Sequence, residues 1–169
     1  MFYTEYRGMN EKPQINNRPY KIVAKCKREV GQNYPKNITF YAIDEQTNEK
    51  LGKCTLSKYL STGAMVEVLK ILDHNFDHCG IGSTLLNTAE NYAYKILQAN
   101  YLTLVYSPDD GYEDYALNLY LSSGYSKHSD QRLMIKELND KTIRTQVDLD
   151  DIDFSYFKVS TNENVQRKE

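Results

Sequence analysis

The chain of 169 residues has no tryptophan, only three cysteines and no strong excess of either charge. Cys26, Cys54 and Cys79 are odd in number and widely spaced, which argues against a disulfide framework or a paired C-x-x-C zinc site and predicts reduced thiols. A net charge of −2 lacks the basic footprint of a nucleic-acid-binding protein. No apolar run is long enough for a transmembrane helix or a signal peptide. We therefore expect a cytoplasmic protein that binds neither nucleic acid nor membrane.

The remaining composition, 40% hydrophobic and 26% charged residues, is ordinary for one globular domain. Residues 1–18 lack hydrophobic periodicity and predict a flexible N-terminal arm. Residues 19–138 carry the periodic patterns and predict the domain itself. Residues 139–169 predict a polar C-terminal tail, in which residues 152–159 are aromatic enough to dock as a strand.

Alternating or continuous apolar residues predict strands in the first half of the chain and again near its end. These strands are expected at residues 20–26, 38–43, 51–56, 64–72, 102–106 and 132–138. The second and third should pair as an antiparallel hairpin, since a short polar turn joins them. The fourth is nearly continuously apolar and predicts a strand near the centre of the sheet.

Two helices are predicted between the later strands. From Gly80 the apolar residues recur every three or four positions, which is typical of an amphipathic helix that ends near Asn100. A second helix should run from Glu113 to Ser122, with Gly124 as its left-handed cap. The strands on either side of the first helix should be parallel. The sequence therefore predicts an α+β fold in one domain, with a mixed, mostly antiparallel sheet and a β-α-β-α-β half.

The turn between the central strand and the first helix contains Gly80 and Gly82. A glycine-bearing turn that opens a helix directs unpaired backbone N–H groups and the positive end of the helix dipole at one point. This turn therefore predicts an anion site, suited to a phosphate.

Two motifs resemble those of the GNAT superfamily of acyl-CoA-dependent N-acetyltransferases. The family's pattern of Arg or Gln, two residues, Gly, one residue, and Gly or Ala corresponds here to Asp77-His78-Cys79-Gly80-Ile81-Gly82. The family's second pattern, an Ala, a Tyr and a closing Gly-Phe, corresponds to Ala116, Tyr120, Gly124 and Tyr125. The resemblance covers roughly residues 38 to 138 and implies a single GNAT-like domain.

The resemblance also implies acetyl-CoA as the cofactor and acetyl transfer to a primary amine by direct attack. The pyrophosphate would lie against Asp77, His78, Cys79, Gly80, Ile81, Gly82, Ser83 and Thr84. The pantetheine arm would pair, like an added strand, with the backbone at Lys70 and Leu72.

Two residues are catalytic candidates. Tyr120 is at the position of the family's general acid, which protonates the coenzyme A thiolate as it leaves, and a phenol with a pKa near 10 is protonated at neutral pH. A helix tyrosine packed on the core is the alternative for Tyr120. Glu67 is the only carboxylate in the strand at 64–72 and is the candidate base for the acceptor ammonium. A solvated strand position is the alternative for Glu67, because a bulge would change the face it occupies.

Asp77 departs from the family, which has Arg or Gln there. Its charge would repel a pyrophosphate unless it caps the helix. The alternative function is therefore a catalytically inactive GNAT-like module that acts in protein–protein interaction.

The segment that leads to the first helix is also rich in potential metal ligands, namely Asp73, His74, Asp77, His78 and Cys79. Zinc sites need convergent ligands, usually from a second cluster, and the remaining histidine, His128, is far along the chain. We therefore predict no metal site. The expected partners are an amine acceptor, which the acidic run at residues 148–153 would favour as a cation if it folded against the site, and a second copy of the chain in a homodimer.

Overall fold

The computed structural model describes residues 14–15, 18–26, 37–58, 62–73, 76, 79–106, 111–128, 132–144 and 147–154. Its strands are β1 (Gln14–Ile15), β2 (Arg18–Cys26), β3 (Asn37–Asp44), β4 (Lys50–Lys58), β5 (Gly63–Ile71), β6 (Tyr101–Val105), β7 (Ser126–Lys127) and β8 (Leu133–Glu137). Its α-helices are α1 (Ile81–Lys95) and α2 (Glu113–Ser122), and a short 3-10 turn spans Leu149–Asp151. Neither α-helix in these ranges is long and apolar enough to cross a membrane.

The described strands form one sheet in the order β1-β2-β3-β4-β5-β6-β8-β7. Neighbours from β1 to β5 are antiparallel, β5 and β6 are parallel, and β6, β8 and β7 are again antiparallel. The predicted α+β class, the β3–β4 hairpin, the inner position of β5 and its parallel crossover to β6 are all confirmed. The bounds of α2 match the prediction residue for residue.

Two short strands were not predicted. β1 lies in the segment expected to be an arm and pairs with Arg18 and Pro19, and β7 pairs with Met134 and Ile135. A strand of two residues carries no alternation, so the hydrophobic pattern alone has nothing to detect.

The core lies between the sheet and α1. Phe40 on β3 meets Tyr92 of α1 edge to face, with ring centroids 5.6 Å apart. The other side of α1 is also covered, because the chain after β8 returns across it. Tyr92 also packs against Phe154, and Asp153 forms a parallel bridge with Val23 at the edge of β2. Residues 155–159 of the predicted docking strand lie outside the described residues.

This return segment explains a second difference from the sequence pattern. An amphipathic helix should expose its polar face, but Asn87, Thr88, Glu90 and Asn91 of α1 are all buried. The amides of Asn87 and Asn91 donate hydrogen bonds to the carbonyl of Arg144. Asn87 and Asn91 therefore bind backbone of the same chain rather than water.

Candidate functional site

Among the described residues, nothing accepts a hydrogen bond from the first backbone N–H groups of α1. Gly80 precedes the helix with φ 79° and ψ 1°, in the left-handed region that favours glycine, and no described side chain caps the helix there. The first helical bond runs from the Thr84 N–H to the Gly80 carbonyl, at 2.9 Å. The N–H groups of residues 81–83 therefore precede any acceptor within the helix, and its first turn has no acidic residue. This end of α1 is suited to an anion.

Two glycines bring other elements close to this helix end. A Cβ on Gly82 would lie 3.1 Å from Leu119 of α2, and a Cβ on Gly52 of β4 would lie 3.0 Å from Ile81. Gly82 thus sets the close approach of α2, and Gly52 lets the first turn of α1 lie on the sheet. Gly52 was not among the predicted site residues, although a glycine inside a strand pattern often marks such an approach.

β5 separates from β6 halfway along its length. The β5–β6 pairs run from Gly63–Tyr101 to Val66–Leu104, whereas β5 stays paired with β4 as far as Ile71. Within the described residues, the part of β5 from Glu67 to Ile71 therefore has a ladder partner on one side only. An open edge of this kind can accept an extended, amide-bearing chain as an extra strand.

Glu67 lies where the separation begins. The β4–β5 register passes from Thr55–Val68 to Leu56–Val66, so Glu67 is the extra residue of a β-bulge. Its side chain is exposed. The β-bulge that the sequence analysis considered is present. It leaves the Glu67 carboxylate exposed to solvent at the point where β5 and β6 separate.

The backbone of β5 is oriented differently from the prediction. The N–H of Leu72 donates to the carbonyl of Leu51 in the preceding strand segment, and the Lys70 carbonyl lies 3.1 Å from the position of a Cβ on Gly52. Both groups therefore face β4 and not the split, which corrects the expectation that they pair with a pantetheine arm. Backbone groups alternate along a strand, so those of Leu69 and Ile71 face the open edge.

Tyr120 lies on the inner side of α2 and is only 6% exposed. Its ring is flanked by those of Tyr106 and Tyr125, with centroids 6.3 and 6.4 Å away. Burial raises the pKa of the Tyr120 phenol above its ordinary value, and nearby Cys54, Tyr106 and Tyr115 raise it further. Tyr120 is therefore protonated at neutral pH, as a general acid must be.

Tyr106 also ties the end of β6 to the start of α2, because its hydroxyl donates to the Glu113 carbonyl at 3.0 Å. Since β6 leaves β5 after Leu104, the contact between the Tyr106 and Tyr120 rings places Tyr120 near the end of β6 that borders the split. Tyr120 and Glu67 thus belong to elements that border the same opening.

A buried ion pair, which was not predicted, lies beside Tyr125, the residue that packs against Tyr120. Lys136 of β8 donates to Oε1 of Glu90 at 3.1 Å, and the Tyr125 hydroxyl donates to Oε2 at 2.7 Å. A signal was present in the sequence, because Glu90 follows the apolar spacing of Leu86 and Ala93, and Lys136 alternates with Met134. Opposite charges at two inward positions predict a buried pair.

The remaining predicted contacts are backbone groups or lie outside the described residues. The side chains of Ile81 and Thr84 are buried, and the Thr84 hydroxyl accepts a hydrogen bond from Tyr20 at 3.0 Å. Only their backbone is therefore left for a ligand, whereas Cys79 and Ser83 are half-buried. Asp77 and His78, and with them His74 of the metal-ligand cluster, lie outside the described residues.

No protein-family model and no curated protein sequence matches this chain. Solved structures do match. A protein assigned as an acyl-CoA N-acyltransferase from Klebsiella pneumoniae superposes with a TM-score of 0.58 at 17% identity, covering 71% of this chain and 98% of its own. A GNAT family acetyltransferase from Elizabethkingia anophelis, with acetyl-CoA bound, superposes with a TM-score of 0.51 at 15% identity, covering 70% of this chain and 99% of its own. A spermidine N-acetyltransferase chimera from Vibrio cholerae and hSSAT superposes with a TM-score of 0.52 at 19% identity, covering 68% of this chain and 73% of its own. At these identities the similarity shows architecture, and we conclude that this chain has the fold of the GNAT acetyltransferases.

Proposed function

We propose that the protein transfers an acetyl group from acetyl-CoA to a primary amine by direct attack. The observation that carries this proposal is the open edge of β5, which leads from the bulge at Glu67 toward the N-terminus of α1, where no described side chain caps the helix. An extended ligand with amides along its length and phosphates at one end suits this combination. Several proteins with this fold are acetyltransferases, and one of them has acetyl-CoA bound.

In this proposal the backbone does most of the cofactor binding. The N–H groups of residues 81–83 bind the pyrophosphate, and the backbone of Leu69 and Ile71 pairs with the pantetheine amides. The thioester then lies near the bulge, where β5 and β6 separate. These contacts need no cationic side chain. The absence of an Arg or Gln at position 77 therefore weakens cofactor binding but leaves the backbone contacts to the pyrophosphate in place.

The chemistry needs one proton removed and one supplied. Glu67, exposed at the bulge, accepts the proton of the acceptor ammonium directly or through water, so that the amine nitrogen can attack the thioester carbonyl. Tyr120 protonates the thiolate of coenzyme A as the C–S bond breaks. The phenol carries its proton at neutral pH, because its ordinary pKa is already near 10 and burial raises it.

For the acceptor we propose a small cationic amine. Glu67 supplies the negative charge at the opening, and one protein with the same fold is a spermidine N-acetyltransferase chimera. The acidic run at residues 148–153 plays no part in this choice, because Asp153 pairs with β2, three strands away from β5.

Calorimetry with acetyl-CoA tests the cofactor site. The wild-type protein should bind saturably, and Gly82→Asp should weaken binding at least tenfold by placing a carboxylate beside the free N–H groups, an effect on the order of 1.4 kcal/mol. Gly82→Ala is the matched control, since it adds the same Cβ near Leu119 without the charge. No binding at millimolar acetyl-CoA would contradict the enzyme and favour the inactive interaction module.

Steady-state kinetics test the acid. With acetyl-CoA and spermidine or a lysine-containing peptide as probes, Tyr120→Phe should lower kcat by roughly a hundredfold, the usual scale of general acid catalysis. The acetyl-CoA affinity should stay within about twofold, because the ring and its packing remain. Wild-type turnover in this variant would remove the role assigned to Tyr120.

A further inference from the structure

Three elements meet at Glu90 in the interior of the protein. Glu90, in the middle of α1, is 1% exposed, and Lys136 of β8, which donates to its Oε1, is 5% exposed. Oε2 of Glu90 accepts from the Tyr125 hydroxyl. The Lys136 ammonium also lies 5.7 Å from the centre of the Tyr125 ring. The phenol of Tyr125 is therefore held at its hydroxyl by one charged group and lies close to the other.

Tyr125 is coupled directly to the end of α2. Gly124, with φ 96°, turns the chain back, and the Tyr125 N–H donates to the Tyr120 carbonyl at 3.0 Å. The Tyr125 ring then packs against the Tyr120 ring at an interplanar angle of 66°. A displacement of Tyr125 would consequently change both the backbone and the ring contacts of Tyr120.

We propose that the Glu90 carboxylate positions Tyr120 for proton transfer by anchoring the phenol of Tyr125, and that Lys136 serves to balance the buried charge of Glu90. This inference rests on the proposed function, since it assumes that Tyr120 is the acid. Glu90 and Tyr125 are positioning residues in this scheme and do not touch the cofactor.

The chemistry of the group favours positioning over simple core filling. Charges taken out of water are costly, and well-packed apolar side chains of similar volume are often as stable or more stable. A carboxylate that accepts a short bond from a phenol fixes the direction of that ring, which apolar packing alone does not do. Proton transfer depends steeply on the distance between the acid and the leaving atom.

Two double variants separate anchoring from charge and from folding. In E90Q/K136M the Gln carbonyl can still accept the Tyr125 hydroxyl, whereas in E90L/K136M nothing accepts it. Neither leaves an unpaired buried charge. Y125F removes only the hydroxyl. Tyr94→Phe is the matched control, because Tyr94 also lies on α1 and donates to a carboxylate, that of Asp140, at 2.6 Å, but in an exposed position.

With acetyl-CoA and spermidine, we expect kcat to fall on the order of tenfold in Y125F and E90L/K136M, with the KM for acetyl-CoA within about twofold. E90Q/K136M and Tyr94→Phe should keep kcat within about twofold. In a Tyr120→Phe background, Y125F should have no further effect, because the acid it positions is already absent.

The outcomes distinguish the two proposals. If Tyr120→Phe lowers kcat but Y125F does not, or if the two effects multiply, the positioning role is wrong and the acid role stands. If Tyr120→Phe turns over like wild type, both fall.

A second measurement does not depend on turnover, so it tests the inference even if the protein acetylates neither probe. The ring resonances of ¹³C-labelled Tyr120, assigned by their loss in Tyr120→Phe, should shift or broaden in Y125F and E90L/K136M but not in E90Q/K136M or Tyr94→Phe. Identical Tyr120 signals in all four variants would overturn the inference.

Discussion

Gly124 ends α2 in a backbone conformation that L-residues reach only with strain, at φ 96°. A Cβ there would meet nothing closer than Lys136 Cε at 3.5 Å, which is ordinary contact. The cost of Gly124→Ala should therefore be conformational, about 1–2 kcal/mol of unfolding free energy. Urea denaturation measures it, and Gly124→Asn should cost less because Asn tolerates this region better. Equal stability of the Ala variant and the wild type would contradict the left-handed cap.

The Glu90–Lys136 pair makes a second prediction at the scale of single residues. Glu90→Leu alone leaves a buried ammonium without its counter-ion and should cost about 3–5 kcal/mol. E90L/K136M removes both charges and should recover most of that loss. Urea denaturation of the wild type, Glu90→Leu, Lys136→Met and the double variant gives the coupling energy of the pair. If the double variant is no more stable than Glu90→Leu, the two side chains do not act as a pair.

At the scale of elements, the long strands and both helices were predictable because their apolar residues recur at one clear period. What could not be predicted is which backbone groups face the β5–β6 split. The orientation of these groups depends on the extra residue at Glu67 and on the β4–β5 register that follows it. A shift of one residue would turn the backbone groups of Lys70 and Leu72, instead of those of Leu69 and Ile71, toward the split. The buried polar face of α1 was equally out of reach, because the segment that covers it is distant in sequence.

That covering segment leads to a prediction about an element. Asn87 binds the carbonyl of Arg144 and accepts from the N–H of Val147 at 3.3 Å and from Asn91 at 3.2 Å. Asn87→Ala removes the acceptor of the Val147 N–H and one of two bonds to the Arg144 carbonyl, which Asn91 still binds, and should cost about 1–3 kcal/mol. Hydrogen exchange of the Val147 amide should accelerate more than that of the β3 and β4 amides. Asn118→Ala, an exposed asparagine on α2, is the control and should change neither quantity.

At the scale of the whole molecule, the site is assembled from parts that no single motif contains. Tyr120 and Gly82 lie in the two recognisable motifs, but Gly52, Glu90 and Lys136 come from β4, α1 and β8. In the proposed function, the motifs contribute the expected cofactor site and the candidate acid. The groups that bring these parts together are buried residues, and only the packed fold reveals their contacts.

The buried acidic groups around this site should make the protein unstable in alkali. Burial raises the pKa of Cys54 above its ordinary value of 9.0, and burial likewise raises those of Tyr120 and Tyr125 above 10.0. Above these ordinary values the unfolded chain loses protons that the folded protein retains, so the unfolded state binds fewer protons and stability falls as pH rises.

Each such group can lower the unfolding free energy by up to about 1.4 kcal/mol per pH unit, and below about pH 7.5 none of the three contributes an appreciable slope. Urea unfolding at pH 8, 9.5 and 10.5 should therefore show a loss of unfolding free energy. The loss should become steeper once the two tyrosines, as well as the thiol, ionise in the unfolded chain. Tyr120→Phe should reduce the slope above pH 10, and Cys54→Ala should reduce it from about pH 9. Parallel curves for wild type and both variants would show that these groups titrate alike in the folded and unfolded chain.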